Sequence, residues 1–291
     1  MSTPQAITVL GTGLMGYPMS RNIAKAGFDL TVWNRSPQKA AALADDGIAI
    51  AGSAGAAVQG ADVVISMVSD GSTVGALLDD PAVQAALQDG AIWIDMSSTK
   101  PGEAREFVRR LQPLGVSFLD APVSGGSKGA EAGTLAIMVG GAQDVFDRAV
   151  PLFQSMGRPT RVGPNGAGQL AKLANQAIVG VTIAAVAEAT LLLEEGGADA
   201  TAVRAALKGG FADSTILQQH GARMTQRNFV PGGISRLQVK DLDNVLAEAG
   251  GLTLPVVQHV RDRFARYINE LDGGERDHAG LFEELLDLNG K

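Results

Sequence analysis

At 291 residues the chain is long enough for two domains and a sizeable core, and 45% hydrophobic with 19% charged residues exclude a disordered or fibrous protein. A net charge of -7 argues against general nucleic-acid binding, so an anionic cofactor must be held by a few local basic groups against the overall field. The absence of cysteine excludes disulfides, thiolate nucleophiles and cysteine-based zinc sites; His220, His259 and His278 show no HxH or HExxH spacing, and no metal is expected.

Met1 to Gln5 lead almost at once into a strand, without a basic segment or a signal-type apolar run, and a cytoplasmic location is the expectation. The apolar run Ile7 to Leu10 predicts that strand, and Gly11-Thr12-Gly13-Leu14-Met15-Gly16 follows it directly. In this position the first glycine permits a tight turn and the second lets the backbone approach a pyrophosphate. The third lets the next helix pack close on the strand. Met15 to Ala26, closed by Gly27, predicts that helix, and Phe28 to Trp33 predicts a second strand. The glycines therefore sit in a complete strand-helix-strand unit and predict a dinucleotide site. The second strand ends in Asn34-Arg35-Ser36, where an NAD site usually places Asp or Glu on the ribose 2′-hydroxyl. No carboxylate stands there. Arg35 suits a 2′-phosphate, with Asn34 and Ser36 as neutral hydrogen-bonding neighbours, so the expected cofactor is NADP rather than NAD.

Strands are predicted at Asp62 to Val68, Ala91 to Asp95, Val116 to Asp120, Leu135 to Val139 and Thr160 to Val162, with a helix over Pro101 to Leu114. The alternation predicts an α/β fold class: an N-terminal Rossmann-type doubly wound domain with a mainly parallel sheet over residues 1–163. An all-helical C-terminal domain follows over residues 164–291. Ala167 to Glu195 predicts one helix of about 29 residues, roughly 43 Å long, that joins the two. Lys172, Asn175, Gln176 and Glu188 interrupt its apolar stretch, which argues against a membrane span. Its apolar surface, Ile178 to Leu193, exceeds what one small helical domain covers, and predicts a homodimer that can pair again into a homotetramer. Further helices are predicted at Ala200 to Lys208, Ser214 to Arg223, Leu237 to Ala249, Leu254 to Glu270 and Ala279 to Leu288.

Beyond the glycine turn, the chemistry concentrates in three places. Asp120-Ala121-Pro122-Val123-Ser124-Gly125-Gly126-Ser127 ends a strand, where ligands collect in open α/β sheets; Ser124 offers a hydroxyl, and Gly125 and Gly126 let backbone N–H groups converge on an anion. A plain surface turn accommodates the same residues. Gly163 to Asn175 is a glycine-rich lead into the long helix, and Lys172 and Asn175, at i and i+3, share a face. An amine among apolar residues suits proton transfer, although a lysine at a helix start also snorkels to solvent. Lys240-Asp241-Leu242, with Arg236 one turn earlier, reads by itself as a solvated helix face.

Together these motifs, with Asp95-Met96-Ser97-Ser98-Thr99, resemble the β-hydroxyacid dehydrogenase family over almost the whole chain. The resemblance implies Lys172 as the catalytic lysine, Asn175 as its substrate-orienting neighbour, and Ser124, Gly125 and Gly126 as the substrate-carboxylate site. It places Leu14, Met15, Asn34, Arg35, Met67, Val68, Thr99 and Lys240 at cofactor positions. The implied activity is NADPH-dependent interconversion of a small 3-hydroxyacid and its semialdehyde, as in the 2-hydroxy-3-oxopropionate reductase branch. An imine reductase has a similar architecture but typically lacks the lysine, and a non-catalytic NADP-binding scaffold has no need of Lys172, Asn175 and Ser124 together. Relatives carry an aromatic near Gly233 and a small or acidic residue near Arg236. With Gly233 leaving room, two readings of Arg236 stand side by side: it contacts only the cofactor phosphates or solvent, or it reaches a second anionic group of the substrate, as on an oxo-phosphonate or other doubly anionic oxo compound.

Overall fold

A computed structural model describes residues 6–291; the reading of Met1 to Gln5 lies outside the described residues. The chain divides into two compact units, the first ending at Lys172 and the second running Leu173–Lys291.

The first unit runs β1 (Ala6–Leu10), α1 (Gly16–Lys25), β2 (Asp29–Trp33), α2 (Gln38–Ala41), β3 (Ala49–Ile50), α3 (Ala54–Val58), β4 (Val63–Ser66), α4 (Gly71–Leu78), α5 (Pro81–Ala86) and β5 (Ile92–Asp95). It continues with α6 (Pro101–Leu111), β6 (Ser117–Asp120), β7 (Val123–Ser124), α7 (Gly126–Ala132), β8 (Leu135–Gly140), α8 (Gln143–Gln154) and β9 (Gly157–Gly163). The expected helix over Pro101 to Leu114 is α6 followed by a 3₁₀ turn at Gln112–Leu114. Several short helices that no apolar period announces are fixed at their starts by capping side chains: Ser53, Asp70 and Asp80 accept from backbone N–H groups of α3, α4 and α5.

The strands form one sheet in the order β3-β2-β1-β4-β5-β6-β8-β7, with β9 on β8. β1 to β6 pair in parallel, and β8 is antiparallel to both β6 and β7. The near-continuous apolar runs follow from burial on both faces. Alternate side chains feed opposite cores: Ile7, Val63, Ile65, Ile92 and Ile94 pack on one face, Val64 and Trp93 on the other with Phe107 and Phe118. Strand order reverses at β1, so the glycine turn after β1 stands at the topological switch point, where open α/β sheets take their ligands.

Helix α9 (Ala167–Glu195) begins in the first unit and continues into the second, and its bounds match the expectation from sequence. The remainder is α10 (Ala200–Ala206), α11 (Thr215–Gln226), α12 (Ser235–Glu248), α13 (Pro255–Leu271) and α14 (Leu281–Leu288). Their core gathers Ile183, Ala187 and Leu191 of α9 with Met224, Leu242, Phe264, Tyr267 and Phe282. Extended pairing in this unit is confined, among the described residues, to one isolated bridge between Ile234 and Asp277. Arg263 is buried against Glu284, donating from Nη2 at 2.8 Å, and also reaches Glu188 at 2.7 Å.

Candidate active site

The glycine turn is dictated by close approaches. Gly11 has φ +106, and a Cβ there would stand 2.3 Å from the Met67 carbonyl oxygen; one on Gly16 would stand 2.0 Å from that of Gly11. Gly13 faces open space, with nothing within 4 Å of the position its Cβ would take. Asn34 braces the turn, its Oδ1 accepting from Thr12 N at 3.0 Å while its Nδ2 donates to Ser36 O at 2.9 Å. The Thr12 hydroxyl is buried and has no hydrogen-bond partner among the described residues. An open cradle beside an orphaned hydroxyl, at the start of α1, fits a dinucleotide pyrophosphate. Leu14 is 74% exposed beside it, and Arg35 is exposed and makes no ion pair with a described residue.

The loops after β4 and β5 are joined behind this turn by a buried polar network. Asp95 accepts from Ser66 Oγ at 2.9 Å, from Ser97 N at 3.1 Å and from Thr99 Oγ1 at 3.2 Å. Ser97 Oγ accepts from Val68 N at 3.0 Å, tying the Met67-Val68 segment to it. Burial pushes the Asp95 carboxyl up to about 6, against these hydrogen bonds. From the other side Gln169, fully buried in the first turn of α9, accepts from Thr99 N at 3.1 Å and donates to Ser97 O at 2.8 Å. Asp120, at the end of β6, caps α9, accepting from Gly166 N at 2.8 Å and Gln169 N at 3.0 Å; burial holds its carboxyl above the ordinary range. Gly168 permits the approach, since a Cβ there would lie 2.5 Å from the carbonyl oxygens of Asp120 and Met138. Ser124 ends β7 half-buried, and Gly125 and Gly126, with φ of +138 and +61, lead into α7, exposed.

Lys172 and Asn175 follow one turn apart on α9, both half-buried. Within the second unit Asn175 Nδ2 donates to Gln176 Oε1 at 2.8 Å, and Gln176 Nε2 donates to Asp241 Oδ2 at 2.6 Å. Asp241 Oδ1 stands 3.6 Å from Lys240 Nζ. The Lys240-Asp241 pair is thus built into a chain of contacts, and only its lysine is on the solvated face that the sequence suggested. Arg236 is exposed and ion-paired with Glu275 on its own surface, so its charge already has a partner. The room expected at Gly233 is filled: a Cβ there would stand 3.0 Å from Cε1 of His278. His278 packs edge to face on His220, their ring centroids 4.6 Å apart, around Asp277. The Asp277 carboxylate is engaged by the N–H groups of Gly232, Gly233 and Ala279, and Arg223 stands 3.6 Å away. Sequence spacing could not reveal this cluster, since the chain brings His220 to it from α11. Burial pushes the His278 imidazole down to about 4.

Asp95, Gln169 and Gln176 carry no assignment from spacing, yet each had a signal: a carboxylate closing the apolar strand Ile92-Trp93-Ile94, and amides flanking the Lys172 to Asn175 turn.

A dinucleotide turn at the switch point of a parallel sheet, followed by a helical domain entered on a lysine-bearing helix, defines a nicotinamide-dependent oxidoreductase acting on CH–OH groups. Residues 6–166 match the NAD binding domain of 6-phosphogluconate dehydrogenase, and residues 166–285 the NAD-binding domain of NADP-dependent 3-hydroxyisobutyrate dehydrogenase. The chain is 41% identical over 281 residues to 2-hydroxy-3-oxopropionate reductase of Escherichia coli, covering 95% of each. It is 34% identical to 3-hydroxyisobutyrate dehydrogenase of Pseudomonas aeruginosa, over 94% of this chain and 95% of that one. The structure of Mycobacterium tuberculosis 3-hydroxyisobutyrate dehydrogenase with L-serine superposes with TM-score 0.87 at 33% identity, covering 97% of this chain and 99% of that one. The chain belongs to the β-hydroxyacid dehydrogenase family.

Proposed function

We propose that the protein is an NADPH-dependent reductase of small oxoacids, converting a semialdehyde such as 2-hydroxy-3-oxopropionate to the hydroxyacid. The observation that carries this is the combination, on one chain, of the open glycine cradle with Lys172 and Asn175 one turn apart on α9. The near full-length identity to 2-hydroxy-3-oxopropionate reductase supports the substrate class. When bound, the nicotinamide supplies or accepts a hydride at C4. Lys172 gives a proton to the substrate oxygen as a carbonyl becomes a hydroxyl, and takes it back in the reverse direction. Asn175, anchored through Gln176 to Asp241, orients the substrate, and Ser124 with the N–H groups of Gly125 and Gly126 holds its carboxylate. Gly11, Gly13, Leu14, Met15 and Gly16 carry the pyrophosphate segment, Met67, Val68 and Thr99 the nicotinamide side, and Lys240 adds positive charge. Arg35, with Asn34 and Ser36, takes the 2′-phosphate, in keeping with its exposed guanidinium, which makes no ion pair with a described residue, and with the NADP-dependent description of the matching C-terminal family.

We place the domain boundary after residue 163, where β9 ends, although the start of α9 up to Lys172 belongs to the first compact unit, bonded to the sheet through Asp120. The enzyme acts in the cytoplasm as a homodimer or homotetramer. NADPH oxidation with a panel of small oxoacids tests the activity. Lys172→Ala lowers kcat by about 10²-fold or more while NADPH still binds; near-normal turnover in that variant would place the proton donor elsewhere.

A further inference from the structure

We infer that Gln169 is a positioning residue: it bonds the Ser97–Thr99 turn to the first turn of α9 and thereby sets where Lys172 stands relative to the cofactor-facing loops. This rests on the proton-transfer role proposed for Lys172. Gln169 is fully buried and spends both ends of its amide on one turn, accepting from Thr99 N and donating to Ser97 O. Only a side chain that is donor and acceptor at once satisfies both groups. The turn it grips is gripped again from behind by Asp95, through Ser97 N and Thr99 Oγ1, and Ser97 Oγ extends the hold to Val68 N. One connected set of buried hydrogen bonds therefore runs from the loop after β4, through the loop after β5, into α9. Lys172 lies three residues beyond Gln169, on the same helix stripe, so a tilt of that first turn carries the amine with it. Misplacement of a reacting group by about 1 Å costs up to about a hundredfold in rate. The Asp120 cap holds the start of α9 to β6 through the Gly166 and Gln169 N–H groups, and the Gln169 side chain adds the hold on the Thr99 turn.

The test compares Gln169→Glu with Gln169→Met. The introduced carboxyl keeps the shape and the acceptor; ionised, it faces Ser97 O without a donor, and protonated it donates there again. Charged groups around the position are Asp95 on β5, Asp120 on β6, Arg105 of α6 against Gly166, and Lys172 on α9 itself. Burial beside two carboxylates favours the protonated form. At about pH 8 kcat of Gln169→Glu is expected to fall about ten- to a hundredfold with KM for NADPH little changed, and to recover toward the wild-type value as pH falls to about 5.5. Gln169→Met should show the loss at every pH. A Gln169→Glu ratio that stays low at every pH, or a Gln169→Met enzyme that loses thermal stability but keeps kcat per folded molecule, overturns the inference. Amide hydrogen exchange needs no turnover: NADPH should slow exchange over Gln169 to Lys172 in the wild type and not in either variant at matched saturation. Equal slowing in all three, or none in the wild type, equally overturns it. A wild type that reduces no oxoacid removes the proposed activity, while the exchange experiment still decides the coupling.

Discussion

Arg35 concentrates the cofactor question in one side chain. It is exposed just past the end of β2, beside an Asn34 whose amide braces the turn through Thr12 and Ser36, and no carboxylate occupies positions 34–36 to prefer a free 2′-hydroxyl. A guanidinium offers a fork of donors that a phosphate fills bidentately and a hydroxyl cannot. NADPH is therefore expected to bind at least tenfold tighter than NADH, about 1.4 kcal/mol. Equal dissociation constants in a fluorescence titration would remove the NADP assignment. Arg35→Asp should reverse the preference, because a carboxylate accepts from the ribose hydroxyls and repels the phosphate.

The junction of α9 with the sheet shows what an element needs beyond periodicity. Gly168 lets the helix start touch β6 and β8, and an added Cβ would meet two carbonyl oxygens, neither of which belongs to a flexible side chain. Gly168→Ala should lower stability by about 1–3 kcal/mol through overpacking, measured by urea unfolding, and also lower kcat because the turn bearing Gln169 and Lys172 must shift. Stability and rate both at the wild-type level would show that the helix start has slack. The long helix, the central strands and the glycine turn were legible because apolar runs and glycine spacing are local signals. The sites of α2, α3, α4, α5 and α7 were not read, since helices this short depend on caps such as Asp70 and Asp80 and on packing against the sheet, whereas α8 was not read although Val145, Ala149, Leu152 and Phe153 carry a helical apolar period. At the site itself, motif residues could be named from sequence, but their partners could not. Asp241 reaches Gln176, Glu275 engages Arg236, and His278 fills the room beside Gly233 only because distant segments meet.

Over the whole molecule, surface and titration each make a prediction. Leu170, Ala174, Ile178, Ala185, Ala189 and Leu192 form one exposed apolar stripe along α9, with Ile178 67% and Leu192 73% exposed. A second copy of the chain is the expected cover, and a monomer by light scattering at micromolar concentration would contradict it. The pH dependence of stability is set by buried groups with opposite signs. Asp95 has its carboxyl raised from 3.8 to about 6, so the folded form holds the proton more readily, and its contribution is lost as pH rises through that range. Asp120, raised by burial, acts in the same direction. His278, lowered from 6.5 to about 4, resists the proton when folded, and its contribution is lost as pH falls toward the lower value. Asp277 is held below the ordinary carboxylate value despite its burial, by His220 and by the Ala279 and Gly233 N–H groups, and acts only at more acidic pH. Between about pH 4 and 6 the Asp95 and His278 slopes oppose each other, each at most about 1.4 kcal/mol per pH unit. Asp95→Asn removes one of them and keeps the shape, since the amide still accepts from Ser66 or Ser97 and donates to Thr99 Oγ1. Its unfolding free energy, from urea titrations across that window, should rise with pH more steeply than the wild type's by up to about 1.4 kcal/mol per pH unit. Parallel curves would mean that Asp95 is ionised in the folded protein throughout, its charge carried by the Ser66, Ser97 and Thr99 donors alone.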